Sequence, residues 1–108
     1  MIENVVLNLK YVNQYDCQMG TGTCSIPVTI GHYYLITTGG GDSYQVPIKS
    51  DSCRIISVHN KTISNFCSNY SGNVAASSWV VQATSDTIQF TKNQYVSIGI
   101  LLFEFQEW

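Results

Sequence analysis

Charge is what this sequence has least of: five Lys or Arg and seven Asp or Glu in 108 residues, 11% against the roughly 25% of an average soluble domain. The five basic residues, Lys10, Lys49, Arg54, Lys61 and Lys92, are scattered. No cluster is available to neutralise several phosphates at once, which argues against nucleic acid as a partner. No apolar run is long and uninterrupted enough to cross a bilayer as a helix, so no membrane is expected either. The first residues, Met1 to Tyr11, alternate like a strand and lack a basic leader ahead of an apolar stretch; they are read as no signal peptide, with synthesis in the cytoplasm or a mature form carrying a start Met as the expectation. Proline is scarce, and both copies, Pro27 and Pro47, sit where an edge strand or a strand start tolerates them. Helix has one weak candidate, Asn73 to Ser78, too short to hold a turn by itself.

Catalytic and metal motifs are also missing. There is no Gly-x-Ser-x-Gly elbow, no His-Glu-x-x-His helix and no phosphate-cradling loop; the run Gly39-Gly40-Gly41 lacks the Lys-Ser/Thr and the helix that such a loop needs. His32 and His59 stand at strand ends and read as solvated turn positions. No catalytic residue, no metal and no cofactor is expected, and the protein is not expected to be an enzyme. Four cysteines, Cys17, Cys24, Cys53 and Cys67, form no Cys-x-x-Cys knuckle, which disfavours structural zinc. Disulfides are the alternative: Cys17 with Cys24 would close a glycine loop, and Cys53 with Cys67 would tie two neighbouring strands. Without a secretory leader the expectation is free thiols, buried as small hydrophobes. Two Asn-x-Ser/Thr sequons, at Asn60 and Asn69, are what chance supplies in a chain so rich in these residues.

What is present is a folded chain of low charge. Hydrophobic residues make 44% at net charge −2, the opposite of a disordered composition, and 108 residues are one domain, 1–108. Ser, Thr, Asn and Gln fill 36 positions and predict a neutral, hydrogen-bonding surface. Period-two alternation recurs along the chain. Val5, Leu7, Leu9 and Tyr11 share one face of a first strand, Asp16 to Thr23 reads as a loop, and Ser25 to Ile30 as a second strand. Tyr33 to Thr38 and Tyr44 to Ile48 make a hairpin across the three glycines. Cys53 to Val58 and Thr62 to Phe66 follow, then a break at Asn69 to Asn73. Trp79 to Ala83 and Thr87 to Thr91 make a second hairpin across Thr84, Ser85 and Asp86, ahead of the terminal strand. About eight short antiparallel strands predict an all-β fold, a compact β-sandwich of jelly-roll type.

The terminal strand, Tyr95 to Trp108, carries apolar residues on both faces: Val96, Ile98, Ile100 and Leu102 on one, Leu101, Phe103 and Phe105 on the other. A single covered face does not need both sets. Either the strand changes sheets near Gly99, or its second face meets another layer or another subunit. Leu101, Phe103, Phe105 and Trp108 are therefore interface candidates. Among the remaining aromatics, Tyr15, Tyr44 and Tyr70 lie beside turns, where a ring can stack on a sugar or anchor a partner.

Two segments carry a resemblance. Gly31-His32-Tyr33-Tyr34-Leu35-Ile36-Thr37-Thr38 enters a glycine tip, and Trp79-Val80-Val81-Gln82-Ala83-Thr84-Ser85-Asp86-Thr87-Ile88-Gln89-Phe90 leads into an aliphatic terminal strand. This layout, over about half of the chain, is similar to small β-sandwich modules of tailed-phage virions: tail fibres, receptor-binding tips and head decoration proteins. The resemblance implies a structural subunit made in the host cytoplasm and located in the virion. It also implies other virion proteins as partners and a homo-oligomer, more readily a trimer than a dimer. A carbohydrate-binding or adhesive module, acting on a host-surface glycan through loop-edge Tyr and Asn, is the competing expectation.

Overall fold

A computed structural model describes residues 8–40, 48–49, 51–64 and 73–106. Its described residues are all-β, in five strands: β1 Leu9–Pro27, β2 Tyr33–Gly40, β3 Cys53–Ser64, β4 Asn73–Ala83 and β5 Thr87–Phe105. Every pairing is antiparallel, in the order β1-β5-β2-β4-β3.

The described strands are longer than alternation suggested. Asp16 to Thr23, expected as a loop, belongs to β1; Thr62 to Ser64 continues β3; and Asn73 to Ser78, the helix candidate, is extended as part of β4. At about 3.3 Å per residue, the 19-residue strands β1 and β5 would each reach about 60 Å, whereas the longest dimension of the molecule is 40 Å. The β1–β5 ribbon must therefore bend. Its ladder shifts register between Cys17 and Gly20 and again between Gly20 and Gly22, and Gly22 takes a φ of 114°, a conformation that favours glycine.

The bend folds the ribbon over one face of the sheet. Pairs from Leu9↔Phe105 to Cys17↔Ile98 lie in the five-stranded layer, while Gly22↔Lys92 to Pro27↔Thr87 form the covering layer. Tyr34, Ile36, Trp79, Val81, Ile98, Ile100 and Leu102 bury their side chains from the first layer; Ile26, Ile88 and Phe90 do so from the second. Phe90 meets Trp79 edge-on, with centroids 5.5 Å apart, although β4 and β5 share no ladder. Ile98, Ile100 and Leu102 point inward with the same parity on both sides of Gly99, as Ile88 and Phe90 do earlier in the strand, so Gly99 does not exchange the faces.

The hairpin expected across Thr84 to Asp86 does not form as such. Thr84 to Asp86 does turn the chain, but β4 pairs with β2 and β3 while Thr87–Phe90 pairs with Cys24–Pro27. The turn is an arch that carries the chain from one layer to the other. Ser85 Oγ sits 2.7 Å from Thr87 O and 3.3 Å from Ser52 O, and the Gln89 N–H donates to Ser52 Oγ at 3.2 Å. Side-chain oxygens thus take over bonds that a hairpin ladder would make. Of the arm expected to return from the glycine tip, 41–47 lie outside the described residues, and Ile48 bridges Phe90 rather than β2.

Candidate functional site

The face of the sheet away from the core holds the features that packing leaves unused. Register across β1, β5, β2 and β4 arranges it in rows. Tyr11, Phe103, Leu35 and Val80 form one row; Gln14, Leu101, Thr37 and Ser78 the next; Asp16, Gly99, Gly39 and Ala76 a third. Beyond the first row lie Leu9 and Phe105, paired on the same face. Relief changes along these rows. At one end the Tyr11 and Phe103 rings pack edge-on, centroids 5.7 Å apart, with Tyr11 50% exposed. At the other, Gly39 and Gly99 leave a trough of about 340 Å³, walled by Gln14, Asp16, Thr37 and Leu101. A Cβ on Gly39 or Gly99 would meet nothing within 4 Å. Leu101 stands between ridge and trough, 40% exposed.

Of the interface candidates, Leu101, Phe103 and Phe105 share this face, the last two partly buried among their neighbours; Trp108 lies outside the described residues. Of the ligand-edge tyrosines, Tyr15 is partly buried against the core, and Tyr44 and Tyr70 lie outside the described residues. Sequence marks Gly39 as part of a hairpin tip, Gly99 as a place for the strand to change sheets and Asp16 as the start of a loop, and does not bring the three together. For Gly99, an isolated glycine in a strand is the available signal, since close backbone approach is one of its uses.

The cysteines divide. Cys17 and Cys24 are joined in a disulfide with Cα atoms 6.0 Å apart, so the expectation of free thiols fails for this pair. The bend in β1 brings them together, and spacing alone does not reveal a bend. Cys53 is a buried free thiol whose pKa is pushed up by burial, which keeps it protonated and unreactive. Cys67 lies outside the described residues.

A second polar cluster lies at the end of β5. His32, exposed in the turn before β2, places Nδ1 2.9 Å from Glu104 Oε1. The Gln106 amide donates to Oε2 at 3.3 Å, and the Tyr34 hydroxyl, which accepts from the Thr29 N–H at 2.8 Å, also faces Glu104. The hydrogen bond from His32, ahead of the cost of burial, holds the Glu104 carboxyl below the ordinary glutamate range. Burial pushes the Tyr34 hydroxyl up.

A group whose pKa falls on folding contributes stability that is present above its unfolded value, near 4.3, and is lost as pH drops through the folded value. The pair is half exposed on the His32 side, so its contribution is under about 1 kcal/mol. His32→Gln is expected to raise the Glu104 carboxyl titration midpoint, read by NMR, and to flatten the loss of stability between pH 5 and pH 3. An unmoved midpoint would show that His32 does not hold the carboxylate.

Among the described residues no group of three or more His, Cys, Asp or Glu side chains is placed to hold a metal ion, and no helix is long and apolar enough to cross a membrane. Compared with family models, characterised proteins and solved structures, the chain matches none.

Proposed function

We propose that this domain is a non-enzymatic structural subunit that works by assembly, a homo-oligomeric virion module of the tailed-phage type that its sequence resembles. One observation carries the reading. The sheet face away from the core presents Leu9, Tyr11, Leu35, Val80, Leu101, Phe103 and Phe105 together, none of them fully buried. Covering a Leu or Phe side chain is worth roughly 1.5–3 kcal/mol each, and contiguous apolar patches of this kind mark interaction surfaces. The residues between Tyr11 and Leu101 on β1, β5, β2 and β4 carry no charge, and Asp16, Arg54 and Lys61 stand at the edges of the face, which adds support because ionic groups are depleted at the centre of interfaces.

Phe103→Ser with Phe105→Ser tests the reading. Light scattering is expected to find an oligomer for the parent and a monomer, or insoluble protein, for the double variant. A parent that is a well-behaved monomer, with a double variant that stays folded and soluble, would end the assembly reading. Binding of that monomer on a glycan array would favour the adhesive alternative. Gln14, Asp16 and Thr37 around the trough supply the amide, carboxylate and hydroxyl groups that hydrogen-bond sugars.

A further inference from the structure

We propose that the Cys17–Cys24 disulfide is a redox latch: closed, it holds the β1 wall of the trough against β5, and opened by a small thiol it releases that wall while the core stays folded. The inference goes beyond the assembly reading and does not depend on what occupies the outer face.

Position is the first support. From Asn13 to Cys17, β1 lies in unbroken register with Leu102 to Ile98 in the five-stranded layer, and Cys24 lies opposite Phe90 in the covering layer. The bond therefore ties one layer to the other across the bend. Between the two cysteines and ahead of Gly22 the ladder has a single pair, Gly20↔Val96, with a register shift on each side, so backbone hydrogen bonding supplies little of that tie.

Anchoring is the second. The segment 13–17 pairs with β5 on one side and is the edge of the sheet on the other. Of its inward positions, Asn13 is exposed, Tyr15 is partly buried, and Cys17 alone is fully buried. Its outward positions, Gln14 and Asp16, are polar and wall the trough. Apart from Ile26, beyond the bend, the largest fully buried side chains come from β2, β4 and β5. A stretch with one ladder and so little apolar burial opens ahead of the rest of a domain once nothing else holds it. What holds this one is the bond at its end.

Access sets the chemistry. Cys24 is partly exposed whereas Cys17 is 3% exposed, so the thiolate of a small thiol such as glutathione attacks the Cys24 sulfur and Cys17 leaves as a thiolate. A second glutathione then displaces Cys24 from the mixed disulfide. One protein disulfide and two glutathione thiols give two cysteine thiols and glutathione disulfide, and the two protons lost by the attacking thiols end on the cysteines. Glutathione disulfide drives the same steps backwards. With the cysteines only seven positions apart, the open form keeps them close enough to reclose.

Backbone amide exchange read by mass spectrometry on the full chain tests the latch. Reduction by millimolar glutathione, well below the unfolding temperature, is expected to accelerate exchange at 13–17 at least about tenfold more than at 34–36 and 79–81, the lower range for losing so short a cross-link. Near-ultraviolet circular dichroism should stay that of a folded protein, and glutathione disulfide should restore the closed pattern. Cys17→Ser with Cys24→Ser should show the open pattern with or without thiol. Equal acceleration at all three segments would make the bond a staple of the whole fold and overturn the latch. Collapse of the folded signal on reduction would overturn it too, as would a bond that millimolar glutathione leaves intact while the protein is folded.

Discussion

Replacing Phe90 with alanine is expected to remove about 3–5 kcal/mol of stability, a large part of the roughly 5–15 kcal/mol that a domain of this size possesses. Phe90 is fully buried, and its ring spans the two layers by meeting Trp79 edge-on at 5.5 Å. Truncation would remove the apolar transfer term and leave a cavity between ribbon and sheet. It would also lose the ring–ring contact, worth about 0.5–1.5 kcal/mol in addition to area. The cavity cannot collapse easily, since the Ile48 bridge, the ties of Ser52 to Gln89 and Lys49, and the Cys24 pairing hold the backbone around it. Urea melts should place the Phe90→Ala midpoint far below that of the parent, or find no folded baseline. Leu101→Ala, on the exposed face, should move the midpoint of the isolated subunit by less than about 1 kcal/mol equivalent. A Phe90→Ala midpoint within experimental scatter of the parent would mean that the ribbon does not pack on the sheet.

Breaking the disulfide is expected to have the next largest effect. Seven residues of extended strand span about 23 Å, yet the Cα atoms of Cys17 and Cys24 are 6.0 Å apart. The bond therefore staples the ribbon at its sharpest bend, the place where register shifts weaken the ladder most. Closing so short a loop reduces the entropy of the unfolded chain by an amount worth about 2–3 kcal/mol in the chain-entropy account. Cys17→Ser with Cys24→Ser, or incubation with dithiothreitol, should lower the thermal midpoint by about 10 °C or more. Alkylation of the native protein without reductant, followed by mass spectrometry, should find Cys17 and Cys24 unlabelled, and Cys53 labelled only after unfolding. Labelling of Cys17 and Cys24 without reductant would contradict the staple. In a reducing compartment the bond would be open, so the same measurements on freshly lysed cells report where the chain matures.

Alternation made the inward residues legible. Tyr34 and Ile36 face the core and Leu35 does not; Ile98, Ile100 and Leu102 do and Leu101 does not. The pleat sets that period covalently, and burial only chooses the phase. Turn chemistry located a reversal at Thr84 to Asp86, yet the same residues serve a hairpin and an arch, and which one forms depends on what each flanking strand finds to pair with. His32 and Glu104 are 72 positions apart in sequence and Gly39 and Gly99 are sixty, so neither the ion pair nor the trough has a local signature.

By itself, then, the sequence determined an all-β chain with a sparsely charged surface and a terminal strand apolar on both sides, because composition and period two are properties of the chain alone. Only the tertiary structure decided that Cys17 meets Cys24, that Phe90 crosses to Trp79, and that the outer residues of β5 share a surface with a glycine trough. Each of these depends on strand register and on the bend in the β1–β5 ribbon. Register and bend are set by contacts between residues far apart in sequence, whose loop-closure entropy is offset only when the whole core forms.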